Sequence, residues 1–251
     1  MMVSSRGKIS WFSKSGALIR EQKAKRGEFF KSLAGGKAFV GLTAKIQDQT
    51  VYNVVTLFDA GLNPVKDLYQ RKHWFQQGKK IDPVNVRAPR YCVSKDRIFI
   101  DDNQAGCIRI YDRRGTTIGK TTVQIDRMPV TQADRQAYHQ YYRNHPIYKN
   151  YYANLKHIIQ FPSHYPIIQF FDVADQRIYL FSHIREAGKS ELYIFNLDGK
   201  LLKKTDIPIA EINRQEVFPL IRVKNSRVYQ LIENIDDEEQ LDLIITKIGG
   251  N

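Results

Sequence analysis

An all-β fold built from successive small antiparallel sheets follows from three features of the sequence: a phrase that recurs, a turn signature that recurs behind it, and the strand-like residues between them. The phrase is a Lys or Arg, a small or branched apolar residue, then an aromatic: Lys37-Ala38-Phe39, Arg97-Ile98-Phe99, Arg177-Ile178-Tyr179 and Arg227-Val228-Tyr229. Turn-formers precede each copy: Gly35-Gly36, Lys95-Asp96, Asp175-Gln176 and Asn225-Ser226. The copies stand 60, 80 and 50 residues apart. Recurrence on that scale marks an array of similar supersecondary units, and strand-like content makes them propeller blades, not helical repeats.

Behind the phrase comes a strand that ends in an aromatic or aliphatic residue, a polar residue and a turn. The clear copies are Ile108-Arg109-Ile110-Tyr111-Asp112-Arg113-Arg114-Gly115 and Leu192-Tyr193-Ile194-Phe195-Asn196-Leu197-Asp198-Gly199. Asp or Asn closes such a turn with its own side chain, and Gly supplies the positive φ. A third copy opens the chain at Ser10-Trp11-Phe12-Ser13-Lys14-Ser15-Gly16, and a shifted one at Thr56–Pro64 puts Leu62 in the glycine slot.

One unit is then a four-stranded meander, best seen in Pro89–Val123 as strands Arg90–Ser94, Arg97–Asp101, Cys107–Asp112 and Thr117–Val123. The same order fits Phe30–Leu68 and Pro166–Ile207. Phe218–Ile248 supplies three strands, and Lys8–Lys23 supplies two that resemble the third and fourth of a blade. The prediction is one domain over 1–251, with about three complete and two partial blades. Such sheets bury their faces only against the next sheet. The leftover strands at the two ends do not sum to one blade, which favours a ring whose beginning is absent from the chain.

The longest step between copies holds a segment, 127–160, that breaks the strand rhythm. Thr131 with Asp134 three residues on has the form of an N-terminal cap with an acidic partner, and Tyr138, Tyr141 and Tyr142 fall on one helical face behind it. Pro146 interrupts that helix. Tyr148, Tyr151, Tyr152 and Leu155 follow at i, i+3, i+4 and i+7. The prediction is a helical hairpin lying on the propeller.

Composition sets the remaining bounds. Hydrophobic residues make up 42% of the 251, enough for a packed core. No run of about 18 apolar residues supports a transmembrane helix. The first eight residues hold no stretch of the signal-peptide kind, so the chain stays where it is made or begins upstream. Cys92 and Cys107 fall on the first and third strands of one blade, about 9–10 Å apart by strand spacing and beyond disulfide reach, and read as buried hydrophobes. Lys and Arg total 39 against 26 Asp and Glu, a formal charge of +13. That charge favours encounter with polyanions, although the cations are dispersed in pairs such as Arg71-Lys72, Lys79-Lys80, Arg113-Arg114 and Lys203-Lys204. The one acidic run, Asp236-Asp237-Glu238-Glu239, reads as a solvated hairpin tip.

With blade phrases of this form, the chain resembles six-bladed β-propellers of the NHL and TolB-like kind. Phe161-Pro162-Ser163-His164-Tyr165-Pro166-Ile167-Ile168, placed after the helical insertion and before a new blade, is similar to a group of bacterial six-bladed propeller proteins. The resemblance implies architecture and no chemistry, because that group carries no assigned activity. Its members typically begin with a secretion or lipoprotein signal and further blade sequence, so it also implies export. This chain shows neither, and the compartment stays open.

Enzymatic six-bladed propellers hold Ca²⁺ with carboxylates and amides at the central tunnel, oxygen ligands for a hard ion. The nearest residues here are Asp101-Asp102-Asn103, with Asn53 and Asn234 at comparable places, and all read more simply as turn residues. No phosphate loop, zinc-spaced Cys pair or nucleophile elbow occurs, so no catalytic residue, metal ligand or cofactor is assigned. His139 and His145, six apart across a proline, do not form a metal clamp.

The insertion carries the candidate binding residues: Arg135, Tyr138, Tyr141, Tyr142, Arg143, Tyr148, Lys149, Tyr151 and Tyr152, with Lys156 close by. Aromatics interleaved with cations suit stacking on bases or sugars with anion contacts; helical spacing equally explains most of the tyrosines as packing. Three functions stand open. The favoured one is a non-enzymatic scaffold whose loop face and insertion bind a protein, peptide or glycan. The others are a basic propeller binding single-stranded nucleic acid and, least favoured, a Ca²⁺-dependent hydrolase or lyase.

Overall fold

The computed structural model describes residues 1–251 except 6, 74, 75, 77–79, 86, 211–219, 234–239, 250 and 251, and except the side chains of Ala34 and Glu233. Asn234, the acidic run 236–239, Phe218 and Lys79 of the sequence reading lie outside the described residues. Eighteen strands and two helices are described: β1 Met2–Ser5, β2 Lys8–Phe12, β3 Leu18–Lys23, β4 Glu28–Leu33, β5 Ala38–Gln47, β6 Thr50–Asp59, β7 Pro64–Lys72, β8 Tyr91–Ser94, β9 Arg97–Asp102, β10 Cys107–Asp112, β11 Thr117–Lys120, α1 Gln132–Asn144, α2 Tyr152–Leu155, β12 Ile168–Ala174, β13 Arg177–Glu186, β14 Lys189–Asn196, β15 Leu201–Ile207, β16 Ile221–Lys224, β17 Arg227–Glu233 and β18 Leu241–Lys247.

They form five antiparallel meanders, β1–β3, β4–β7, β8–β11, β12–β15 and β16–β18. These are blades of an all-β propeller, three with four strands and two with three. The structure thus shows five blade sheets where the resemblance implied six. The N-terminal sheet has three strands instead of the two expected, because Met2–Ser5 folds back on β2 with Met2 opposite Trp11 and Ser5 opposite Lys8.

The turn signature repeats as one device. Between the last two strands of four sheets, a residue donates back across three positions: Gly16 to Ser13, Leu62 to Asp59, Gly115 to Asp112 and Gly199 to Asn196. Asp112 Oδ1 accepts the Arg114 and Thr116 N–H at 2.9 and 2.8 Å, and Asn196 Oδ1 accepts those of Asp198 and Lys200 at 3.1 and 2.9 Å. The donor is left-handed in all four, Leu62 included (φ 61°). Each turn is followed by one extra residue in the outer strand, a β-bulge that turns its side chain out of the ladder. Ile19, Val65, Ile118 and Leu202 hold these places, each at least half exposed. The turns before Arg177 and Arg227 are two-residue hairpins with both residues left-handed, the twist that matches antiparallel strands.

Contacts divide the chain into two compact units, residues 1–73, 88–102 and 108–121, and residues 74–87, 103–107 and 122–251. Within the first, Ile9, Phe30, Phe39, Phe58 and Leu62 form the core between the first two sheets. Leu33, Val40, Leu42, Val55 and Leu57 meet Tyr91, Ile98, Ile100 and Tyr111 between the next two. Gly41 makes the first core possible: a Cβ there would stand 2.8 Å from the Phe30 ring, which packs edge-on to Phe58 at 5.1 Å. First strands of successive sheets also join directly, Ser4 Oγ accepting the Phe30 N–H at 2.7 Å and Lys31 Nζ donating to the Tyr91 carbonyl at 2.6 Å. Burying each large apolar side chain contributes about 1.5–3 kcal/mol.

Within the second unit, Phe170, Tyr179, Phe181, Leu192 and Ile194 pack on Ile221, Val223, Val228 and Ile248 of the last sheet. Asp172 Oδ2 accepts the Val223 N–H, and Asp175 Oδ2 that of Ser226, both at 2.9 Å. The outermost strands of both units, β3, β7, β11, β15 and β18, are largely exposed.

Candidate binding site

The insertion is pinned at its base. Met128 accepts the Tyr165 N–H at 2.8 Å, Val130 donates to Ser163 at 2.9 Å, and Ile81 exchanges bonds with Ile158 and Gln160 at 2.8 Å each. The loop so closed runs a few residues past the predicted 127–160. Helix α1 starts at a complete capping box: Thr131 Oγ1 accepts the Asp134 N–H at 3.1 Å, and Asp134 Oδ2 accepts the Thr131 N–H at 2.8 Å. It ends at His145, whose extended backbone precedes Pro146.

The second helix is one turn, α2, and not the longer segment that the spacing predicted. Residues 148–151 form tight turns instead, with Tyr148 donating to His145 and Tyr151 to Tyr148. The Tyr148 ring lies between Tyr142 at 5.3 Å and His145 at 4.7 Å. That packing overrides the local helical preference.

The insertion has its own aromatic core of Val84, Val130, Tyr138, Tyr142 and Tyr165, bordered by Met128, Tyr141, Tyr148, Tyr152, Ile159 and Phe161. Tyr165 stacks on His183 of β13 at 4.9 Å, which ties this core to the neighbouring blade. Tyr138 and Tyr142 are 2% and 5% exposed. Both belong to the predicted binding set, and the structure buries both in this core. Burial, helped by Tyr148, Tyr141 and Asp82, holds the Tyr142 phenol above its ordinary value.

On the other side of α1 lies an open cleft of about 770 Å³. Among the described residues, Arg143 and Lys156 supply its cations, His139 and His157 its imidazoles, Gln136, Gln140 and Asn144 its amides, and Tyr152 its one phenol ring. Among the described residues no carboxylate lines it. The Arg143 guanidinium stands 5.4 Å from the Tyr152 ring centre, and the Tyr152 hydroxyl is 3.1 Å from His139 Nδ1, which fixes the ring beside the cation.

Of the predicted set, only Arg143 and Tyr152 line this cleft. Arg135 turns to the Phe161 ring at 5.9 Å. Tyr141 and Tyr148 are half-buried, while Lys149 and Tyr151 are exposed on the connection. Gln136, His139, Gln140, Asn144 and His157 were missed. Positions 136, 139, 140 and 143 recur at helical spacing opposite Tyr138 and Tyr142, and that polar stripe was the available signal.

The acidic candidates have other work. Asp101 Oδ1 meets Arg71 Nη2 at 3.0 Å and accepts the Arg90 N–H at 2.8 Å. Burial pushes the Asp101 carboxyl up, with Arg71 pulling against it. Asp102 meets Arg109 at 2.6 Å and accepts the Tyr69 hydroxyl at 3.1 Å, and burial pushes the Tyr69 phenol up to about 12. Asn103 Oδ1 accepts the Ile168 N–H at 3.1 Å. Each of the three is thus engaged in an ion pair or hydrogen bond of the fold, and among the described residues no group of three potential metal ligands occurs. Cys92 and Cys107 are buried and are not disulfide-bonded. No described helix is long and apolar enough to cross a membrane.

No protein-family model matches the chain, and no characterised protein matches it by sequence. Solved structures similar in fold include a eukaryotic initiation factor, with 7% identity and a TM-score of 0.44 over 100% of this chain and 51% of that one. The β-propeller domain of the Trilobed protease from Pyrococcus furiosus, described as having an open velcro topology, gives 9% identity and 0.38 over 88% and 54%. AztD from Citrobacter koseri gives 9% and 0.32 over 92% and 52%. The chain spans about half the length of these proteins.

Proposed function

We propose that the protein is a non-enzymatic propeller scaffold whose helical insertion binds a protein, peptide or glycan partner. One observation carries this reading: α1 buries Tyr138 and Tyr142 in a core of its own and turns Gln136, His139, Gln140 and Arg143 into an open cleft whose described lining holds no carboxylate. A rigid support under a solvent-facing set of cations and amides is how a binding surface is preorganised. The resemblance to NHL- and TolB-like propellers belongs to the same proposal and rests on the blade phrases alone, without the count of six blades.

The test compares what is retained by the immobilised full chain and by its Arg143→Glu/Lys156→Glu variant. Loss of a specific partner on the variant supports the assignment, and identical recovery rejects it. Single-stranded nucleic acid is the second reading, motivated by the +13 charge. It predicts retention of RNA or DNA that falls steeply with salt, and filter binding that retains neither at low salt removes it.

A further inference from the structure

We infer that the cleft between α1 and the segment after α2 receives an acidic saccharide, a sugar chain bearing carboxylate or sulfate groups. This rests on the reading of the insertion as the binding surface and names the ligand class. Three features of the lining argue for it.

The first is charge. Arg143 and Lys156 face a cleft with no carboxylate among its described lining residues, so an entering anion meets these cations without acidic competition from that lining. The Arg143 fork suits a planar carboxylate or a sulfate edge.

The second is the amide set. Gln136, Gln140 and Asn144 lie along the exposed side of α1 and open into the same space. A carboxamide donates and accepts at once, which matches vicinal sugar hydroxyls and is wasted on a phosphate backbone.

The third is the aromatic count. Tracking a single strand of nucleic acid takes successive stacking platforms. Among the described residues of the lining, Tyr152 is the one Tyr, Phe or Trp, with its hydroxyl held by His139, while Tyr138 and Tyr142 are buried in the core. One ring beside amides and cations fits one sugar face. The cleft volume of about 770 Å³ falls in the ordinary range for organic ligands.

Calorimetric titration of the full chain with a heparin-derived tetrasaccharide, tetragalacturonate, neutral cellotetraose and oligouridylate tests this and separates sulfate from carboxylate as the anion. The expected result is binding of at least one acidic tetrasaccharide roughly tenfold or more above cellotetraose. Arg143→Gln/Lys156→Gln should weaken it by a similar factor. Gln136→Ala/Gln140→Ala, which keeps the charge, should weaken the saccharide and leave oligouridylate unaffected. Three of these four positions are exposed surface of α1 and Lys156 is exposed beyond α2, so unchanged melting temperatures are the folding control.

Binding of neither acidic tetrasaccharide overturns the inference, as does oligouridylate binding as tightly as they do, or indifference to the glutamine variant. If the saccharides fail while Arg143→Glu/Lys156→Glu still strips the partner, the ligand class falls and the surface stands. If partner recovery is unchanged on that variant, the surface itself falls.

Discussion

Arg71 and Asp101 form a buried ion pair, Nη2 to Oδ1 at 3.0 Å, between the outer strand of one blade and the second strand of the next, with side chains 10% and 8% exposed. Arg71 also donates to the Asp101 carbonyl at 2.8 Å. Removing one partner strands the other charge away from water. Arg71→Met or Asp101→Leu alone is expected to cost about 3–5 kcal/mol, and the two together less than the sum. Urea unfolding of the three variants measures this.

Leu62 and Gly115 occupy the same left-handed place in their hairpins, for opposite reasons. Leu62 bears the strain because its side chain fills the first interblade core, where it is 2% exposed. At Gly115 a Cβ would stand 2.5 Å from Leu68 Cδ2. Leu62→Gly relieves about 1 kcal/mol of backbone strain and forfeits more in lost packing, so it should destabilise by a net of about 2 kcal/mol. Gly115→Ala should destabilise by about 1–3 kcal/mol through strain and overlap. Thermal unfolding of both variants is the check, and a stabilised Leu62→Gly contradicts the assignment.

Glu191 lies between neighbours on adjacent strands, accepting the Ser182 hydroxyl at 3.0 Å and pairing with Lys204. Burial alone would raise its carboxyl, but Lys204 and hydrogen bonds with Tyr193 and Ser182 outweigh that and lower it. A carboxyl depressed in the folded state stabilises fully above its unfolded-state value, and that stability is lost as pH falls through the folded value. With Lys204 half exposed, Glu191→Gln should cost about 1 kcal/mol near neutral pH. The gap to wild type should close below about pH 4. Urea midpoints across pH 3–7 would show it, and a gap independent of pH would contradict it.

At the start of α1, Thr131→Ala removes both the acceptor for the Asp134 N–H and the capping geometry, and should cost about 1 kcal/mol. Tyr151, 62% exposed on the connection, should tolerate replacement by Ala within about 0.5 kcal/mol. Chemical denaturation distinguishes the pair. Equal losses would mean that Tyr151 packs in a way its exposure does not show.

What was legible in the sequence is what local chemistry decides. The left-handed turns announce themselves through Asp, Asn and Gly at fixed offsets, and the Leu62 exception was visible as a break in that pattern. The capping box of α1 likewise lies within four residues. Met2–Ser5 went unread because its two serines spoil the apolar alternation that marks a half-buried strand. The bulge residues Ile19, Val65, Ile118 and Leu202 read as ordinary strand apolars until the register shows them turned outward. In the insertion, every tyrosine looks alike in sequence. Which are buried depends on Val84 and Val130 closing over Tyr138 and Tyr142 from distant positions. The cleft depends on His157 and Lys156 being brought opposite α1 by the pairing of Ile159 with Ile81.

The central claim is that the insertion stands on an aromatic core of its own and thereby holds its polar face in place. Amide hydrogen exchange of the Tyr142→Ala variant against wild type tests it most directly. The account predicts lost protection confined to α1, α2 and the segment around Ile81, with β12–β15 keeping theirs. Unchanged protection in α1, or a loss spread through β12–β15, would contradict it.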